Sequence, residues 1–144
     1  MHNLKKPRTS LTSPRKAAYK SQKGRCYYCN TPMWEGEESA PKFAQKHGLK
    51  AGRLRLLRCT GEHLLAHSDG GVASRKNIVA ACDFCNTHRH RPKTPLSPSK
   101  YKKHVEKRIS KGAWHQMYNL CVNLHPKLTH VLHTKLTPKN RGNY

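Results

Sequence analysis

Two pairs of cysteines have the spacing of metal ligands. Each pair has the form Cys-x-x-Cys, and together they supply four thiols, the number that a closed tetrahedral zinc site requires. The four residues are Cys26, Cys29, Cys82 and Cys85. Because 52 residues separate the two pairs, a shared ion would hold two distant segments together. We therefore predict a structural zinc site, with four unrelated buried cysteines as the alternative. The other two cysteines, Cys59 and Cys121, are expected to be small buried apolar residues.

A second group of polar residues lies between and beside the cysteine pairs. Glu62-His63 is followed by two adjacent glycines, then by Asn77 before a short apolar segment, and finally by Asn86 directly after the last paired cysteine. Thirteen residues separate His63 from Asn77, and eight separate Asn77 from Asn86. In the order and spacing of these elements, residues 26–91 resemble the HNH nuclease family. The resemblance does not extend into either flank.

The resemblance implies a fold and a set of roles. The family fold, called ββα-metal, arranges two strands and one helix around one divalent ion. His63 would be the general base, because a neutral imidazole can take a proton from the attacking water. Glu62 and Asn86 would be ligands of a catalytic Mg²⁺ or Mn²⁺, since these ions prefer hard oxygen donors. The side chain of Asn77 would bond to the backbone of the loop that orients His63.

Three more residues of this region acquire roles from the resemblance. His90 would lie on the same helical face as the asparagine ligand, where it could add a ligand or a phosphate contact. Arg89 and His67 are expected to bind phosphates that flank the cut. The chain also departs from the family pattern, because Glu62 stands where many relatives have aspartate and Ala66 replaces a frequent proline. The longer carboxylate side chain would shift the ion, whereas the alanine removes no chemistry.

The charge of the chain points to a polyanionic partner. Twenty-nine Lys and Arg residues against seven Asp and Glu residues give a formal net charge of +22. Such an excess repels itself unless it is neutralised, and lysine or arginine gains affinity by displacing counterions from phosphates. DNA is the predicted partner, and Lys102 and Lys103, on a basic C-terminal helix, are predicted phosphate contacts. A ribosomal type of RNA-binding protein would explain the charge but would leave Glu62 and His63 without a role.

The same features leave a second function open. A non-catalytic, zinc-dependent nucleic-acid-binding module would also account for the charge and the cysteines. It would have no physical reason to combine Glu62 and His63 with the two asparagines Asn77 and Asn86. We therefore favour a metal-dependent endonuclease that hydrolyses phosphodiester bonds in DNA, and the binding module is the alternative.

The elements that must position these residues predict an α+β fold, in which a small ββα-metal core is stapled by the zinc site and flanked by short helices. We divide the chain into a flexible basic arm (1–13), a zinc-stapled nuclease module (14–91), a basic helical extension (92–124) and a C-terminal tail (125–144). The composition supports a stapled core, because only 35% of the residues are hydrophobic.

The local pattern predicts individual elements within these regions. Ser13-Pro14 is a start signal for a helix that reaches Gln22. A second helix is expected over 41–46, a strand over 54–59 that continues to His63, a strand over 78–81, and a helix after Cys85. Beyond the proline-rich stretch, apolar residues at 101, 105 and 109 predict a helix, and a further apolar stripe over 114–122 predicts another.

The chain shows no targeting or membrane segment by its composition. The longest apolar run, Ile78 to Cys82, is far shorter than the roughly 20 residues of a membrane-spanning helix. The basic N-terminal residues are not followed by the apolar stretch of a signal peptide. We therefore expect an intracellular, cytoplasmic protein, a reducing setting in which paired cysteines hold metal. A symmetric DNA target would require a homodimer, for which the sequence gives no surface.

Overall fold

A two-stranded antiparallel sheet and five helices form the part of the chain that the structure, a computed structural model, describes, which is residues 10–117. The helices are α1 (Thr12–Ser21), α2 (Ala40–His47), α3 (Ala51–Leu56), α4 (Asp83–His90) and α5 (Pro98–Ser110). The strands are β1 (Cys59–His63) and β2 (Ile78–Cys82). The predicted α+β class is confirmed, and β1, β2 and α4 follow one another in the expected ββα order.

The register of the hairpin places different kinds of side chain at its two ends. Cys59 pairs with Cys82 at one end, and His63 pairs with Ile78 at the other. Each strand has five residues, so the ends are about 13 Å apart at the usual rise per residue. One end of the hairpin therefore carries a paired cysteine, and the other carries the histidine of the motif.

The two faces of the hairpin are covered by different helices, because successive side chains of a strand point to opposite faces. Helix α1 packs across β1 and β2 at Gly61, where an added Cβ would lie 3.6 Å from the Cβ of Arg15. Helix α4 packs on the opposite face, which carries Thr60 and Glu62. The hairpin thus lies between α1 and α4.

The prediction of a strand over 54–59 was wrong in its first half. Residues 51–56 form helix α3, and β1 begins only at Cys59. Arg53, Leu54 and Arg55 are good helix formers, and Leu54 and Leu57 lie three residues apart on the face turned to the core. Leu57 is fully buried, and the indole of Trp34 donates a hydrogen bond of 2.7 Å to the carbonyl oxygen of Leu54. A short alternating pattern is compatible with the period of a strand and with that of a helix, and here the packing of the leucines stabilises the helix.

The other elements lie close to their predicted bounds. Helix α1 begins at Thr12, with Leu11 rather than Ser13 at its N-cap, so the last residues assigned to the arm are helical. Helix α2 ends at His47 and is followed by Gly48, whose φ of 63° is the left-handed conformation that glycine adopts at a helix C-terminus. Helix α4 begins at Asp83, slightly earlier than predicted.

Helix α5 has the predicted inner face, since Tyr101 and Val105 are buried and Ile109 packs partly against the core. The remainder of the arm (1–9), the end of the apolar stripe (118–122), Cys121 and the tail lie outside the described residues. Within residues 10–117, no helix has the length and apolar character needed to cross a membrane.

Candidate functional site

The four paired cysteines form one buried cluster. Their Sγ atoms all lie within 4.8 Å of one another, and the Sγ atoms of Cys29 and Cys82 are 3.8 Å apart. A tetrahedral zinc ion with Zn–S bonds of about 2.3 Å would separate its sulfur ligands by about 3.8 Å. None of the four is more than 6% exposed. The predicted assembly of Cys26, Cys29, Cys82 and Cys85 is confirmed as a cluster that could hold a metal such as zinc.

Backbone N–H groups of the second cysteine segment donate to sulfur atoms of both segments. The N–H of Cys82 donates to the Sγ of Cys26 at 3.3 Å, and the N–H of Cys85 donates to the Sγ of Cys82 at 3.4 Å. These contacts arise because Cys82 ends β2 and caps α4, so the ligands lie at the junction of a strand and a helix. Each donor favours the thiolate form that metal binding requires.

Burial and hydrogen bonding both act on the ionisation of the thiols in the cluster. Burial opposes ionisation of Cys29, but hydrogen bonds from the other three thiols and from His115 hold its pKa well below the usual value. The pKa of Cys82 is raised, first by hydrogen bonds within the cluster, and the pKa of Cys85 is raised, first by burial. Cys59 lies outside the cluster, is buried as predicted, and has a pKa that burial raises to about 12.

Helix α5 and the segment after it close over this cluster. The hydroxyl of Tyr101 donates to the carbonyl oxygen of Cys85 at 2.8 Å, and its ring meets that of Tyr28 edge to face at 4.8 Å. His115 is 7% exposed, and its Nε2 lies 3.3 Å from the Sγ of Cys29. Sequence reasoning did not identify His115, because 86 residues separate it from its partner and no motif includes it.

The second candidate site is centred on a buried carboxylate. Glu62 is only 2% exposed, and its Oε1 accepts a hydrogen bond of 2.6 Å from Nη1 of Arg89. The Nε2 of His90 lies 3.1 Å from Oε1 and 3.2 Å from Oε2 of the same carboxylate. His90 itself is about half exposed, so the site opens to solvent on its side.

The spacing of side chains along helix α4 matches their spacing along strand β1. Asn86 contacts Thr60, with Nδ2 donating to Oγ1 at 3.0 Å, and His90 contacts Glu62. Four residues of helix advance about 6 Å, and two residues of strand advance about 6.8 Å. Helix α4 therefore runs alongside β1 so that the residue pair 86 and 90 faces the residue pair 60 and 62. The structure thus brings three of the predicted residues, Glu62, Asn86 and His90, to one face.

Asn77 fastens the loop that follows β1. Its Oδ1 accepts from the backbone N–H of Leu65 at 2.7 Å, and its Nδ2 donates to the carbonyl oxygens of Leu65 and Val72, both at 3.0 Å. The carbonyl oxygen of Asn77 also accepts from the N–H of Leu64. At Gly71 an added Cβ would collide with the carbonyl oxygen of Leu65, so the loop closes only around a glycine. These are the backbone contacts that the resemblance implies for Asn77.

His63 is the last residue of β1 and immediately precedes this loop. It is half-buried, and its ring makes no hydrogen bond or ion pair with any residue of the range 10–117. As the neighbour of Glu62 on a strand, it projects to the opposite side of the hairpin from the carboxylate. Its position is therefore set by the end of the strand and by the loop that Asn77 fastens.

The predicted phosphate contacts have different environments. Arg89 is 9% exposed, and its Nε donates to the carbonyl oxygen of Leu96, so its guanidinium belongs to the interior of the site and not to an open surface. His67 lies exposed on the short 3-10 helix His67–Asp69. The ammonium group of Lys102 lies 4.2 Å above the ring of Tyr27, and Lys103 is exposed beside it on α5.

Comparisons of the chain with protein-family models, with curated proteins and with solved structures find no match.

Proposed function

We propose that this protein is a metal-dependent endonuclease of the HNH type that hydrolyses phosphodiester bonds in DNA. The observation that carries the proposal is the contact of Glu62 with His90 at 3.1 Å, with Asn86 on the same helical face and His63 next along the strand. A buried carboxylate, an amide and an imidazole on one face supply the donor types that a divalent ion accepts.

The residues present fit a Mg²⁺ or Mn²⁺ ion. Two adjacent ligands of an octahedral ion, with bonds of about 2.1 Å, are about 3 Å apart. The Nε2 of His90 lies 3.1 Å from Oε1 and 3.2 Å from Oε2 of Glu62. Glu62 and His90 could therefore act as adjacent ligands, with Asn86 as a third. When bound, such an ion would neutralise charge on the phosphate and on the departing oxygen.

The protein's own groups then account for the proton and for the position of the substrate. The ring of His63 takes a proton from water as the water oxygen forms a bond to phosphorus. The bond from phosphorus to the 3′ oxygen breaks, and that oxygen takes a proton from solvent, which leaves a 5′-phosphate on one product and a 3′-hydroxyl on the other. Lys103, Lys102 and His67 lie on accessible surface and serve as phosphate contacts.

We assign zinc to the cysteine cluster, where it has a structural role. Four thiolates close the coordination sphere and leave no position for water, which is the arrangement of structural zinc sites. The cluster would bring two segments together across the 52 residues that separate its cysteine pairs. Zinc is thus distinct from the divalent ion of the reaction in ligands, position and role.

The test is conversion of supercoiled plasmid by the purified full chain with Mg²⁺, with Mn²⁺ or with EDTA. His63→Ala should lower the rate by roughly a hundredfold or more, the usual contribution of a general base. His104→Ala is the matched control, because His104 is an exposed histidine on α5 that is remote in sequence from the proposed site. Cleavage that survives EDTA, or that is lost equally in both variants, would contradict the proposal.

Two observations favour the alternative of a non-catalytic nucleic-acid-binding module. His63 projects to the opposite side of the hairpin from Glu62, so the proposed base and the proposed ion site do not share a face. Arg89 already neutralises the carboxylate of Glu62 at 2.6 Å, and a carboxylate satisfied in this way has no need of an ion. The same assay separates the two functions. If the native chain and His63→Ala both bind plasmid and neither converts it with any divalent ion, the binding module is the correct function.

A further inference from the structure

We infer that Thr60 is a positioning residue that turns the carbonyl oxygen of Asn86 towards the divalent ion of the proposed site. The inference rests on the proposed function, and it concerns a residue that the family resemblance does not assign. It starts from two hydrogen bonds that meet at one hydroxyl group. The Oγ1 of Thr60 donates to the carbonyl oxygen of Ala81 at 2.7 Å, and it accepts from the Nδ2 of Asn86 at 3.0 Å.

The direction of these bonds follows from the number of protons. A threonine hydroxyl has one proton and two lone pairs, and a backbone carbonyl can only accept. The proton of Thr60 is therefore committed to Ala81, and only a lone pair remains for Asn86. A lone pair selects the NH₂ end of the amide and repels its oxygen.

This selection matters because the two ends of an asparagine amide have nearly the same shape but opposite chemistry. The oxygen can bind a cation, whereas the NH₂ group has no lone pair to offer. With Nδ2 held by Thr60, the Oδ1 of Asn86 is directed away from that hydroxyl and remains available as a ligand. Without the hydroxyl, the amide could rotate and present the wrong end for part of the time.

The fold makes Thr60 suitable for this task. It lies two residues before Glu62 on β1, on the same face, so one strand carries both the carboxylate and the group that orients the amide. Its partner Ala81 is the residue opposite it on β2 and is fully buried. The hydroxyl is therefore held by a backbone group of the sheet and not by another side chain.

The experiment measures Mn²⁺ binding and not cleavage. The background is His63→Ala, so that a short DNA duplex stays intact, and free Mn²⁺ is followed by electron paramagnetic resonance in the complex of the zinc-loaded full chain. Thr60→Val keeps the shape and removes the hydroxyl, and Thr60→Ser restores the hydroxyl on a smaller side chain. Glu62→Gln, also in this background, identifies the Mn²⁺ ions that bind elsewhere on the complex.

The expected result is that Thr60→Val weakens Mn²⁺ binding by roughly tenfold, the usual effect of removing a group that orients a metal ligand. The affinity of Thr60→Ser for Mn²⁺ should be within about twofold of that of the background with Thr60, because serine keeps both hydrogen bonds. If Thr60→Val binds Mn²⁺ as tightly as the His63→Ala background that retains Thr60, the inference is overturned and the proposed nuclease function is unaffected. If the Thr60 protein itself shows no Mn²⁺ site that depends on Glu62, the ion site of the proposed function fails, and the inference fails with it.

If Thr60→Val does not fold, a second measurement on the native chain tests the same hydrogen bond. In the ¹⁵N-labelled native chain, one side-chain NH proton of Asn86 should exchange slowly with solvent, because it is donated to Thr60. Fast exchange of both protons would overturn the inference.

Discussion

The two ends of the β1–β2 hairpin differ in how their functional groups are held. At the Cys59–Cys82 end, four cysteines with no more than 6% exposure form a closed cluster. At the His63–Ile78 end, a half-buried histidine, a half-exposed His90 and a surface loop surround the buried Glu62. One end is closed by its own thiols, and the other is open on one side.

The difference shows how a small core can hold an open arrangement of polar side chains. Helix α4 begins at the cysteine cluster and ends at His90, and β1 runs alongside it to His63. Both elements are therefore anchored at the closed end and carry the side chains of the proposed ion site towards the open end. Disturbing the closed end should unfold the whole domain, whereas disturbing the open end should leave the domain folded.

The largest effect is expected for Cys82→Ser, which removes one ligand of the closed end. Binding of structural zinc contributes roughly 10–16 kcal/mol to folding, as much as the total stability of a small domain. We expect this variant to lose zinc and its cooperative thermal transition, as measured by elemental analysis and circular dichroism. Cys59→Ala is the matched control, because Cys59 is equally buried but lies outside the cluster. A serine variant that retains one zinc per chain and melts normally would contradict the closed-end assignment.

The next effect is expected for Arg89→Ala at the open end. It leaves the Glu62 carboxylate buried without its 2.6 Å partner, which should lower the free energy of unfolding by about 3–5 kcal/mol. Mn²⁺ should restore part of this loss in urea unfolding, because an ion at Glu62 can replace the guanidinium charge. Arg91→Ala, the exposed neighbour, should change stability by less than about 0.5 kcal/mol. The ion site would be in the wrong place if Mn²⁺ stabilised the Arg89 variant no more than the native chain.

The smallest effect on stability is expected for Gly71→Ala. The added Cβ collides with the carbonyl oxygen of Leu65 and displaces the loop that Asn77 fastens, at a cost of roughly 1–3 kcal/mol. Cleavage should fall by about a hundredfold, because a shift of about 1 Å in a reacting group can have that effect. Zinc content should not change.

Gly52→Ala is the control for this substitution. Gly52 lies in α3, an added Cβ there meets nothing within 4 Å, and alanine favours a helix by about 0.5–1 kcal/mol. The role of the loop would be refuted if Gly71→Ala cleaved DNA at the native rate.

Residue types and spacing were sufficient to predict the features that depend on local chemistry. The two Cys-x-x-Cys pairs predicted a four-cysteine cluster, and apolar residues at every fourth position predicted the buried face of α5. The strand at Ile78 was predicted because a short apolar run next to turn residues has few other solutions. The contacts of Asn77 were implied by the HNH resemblance.

Features that depend on tertiary packing could not be predicted in this way. The alternation of Leu54 with arginines fits a strand and a helix equally well, and only the burial of Leu57 decides between them. The role predicted for Arg89 assumed an exposed position, but the approach of α4 to β1 turned its side chain towards Glu62. Thr60 and His115 have no motif, because their partners are distant in sequence and are brought to them by the fold.

The outer edge of β2 affects how copies of this chain behave when they are crowded together. An open strand edge in such a crowd is a template for pairing between chains and for aggregation. Here all three outward N–H groups of β2 are occupied within the chain. Ile78 donates to the carbonyl oxygen of Ser74, Ala80 donates to the Oε1 of Gln22, and Cys82 donates to the Sγ of Cys26. The side-chain amide of Gln22 also donates to the carbonyl oxygen of Ala80, so it takes the place of a neighbouring peptide and keeps crowded copies from joining edge to edge.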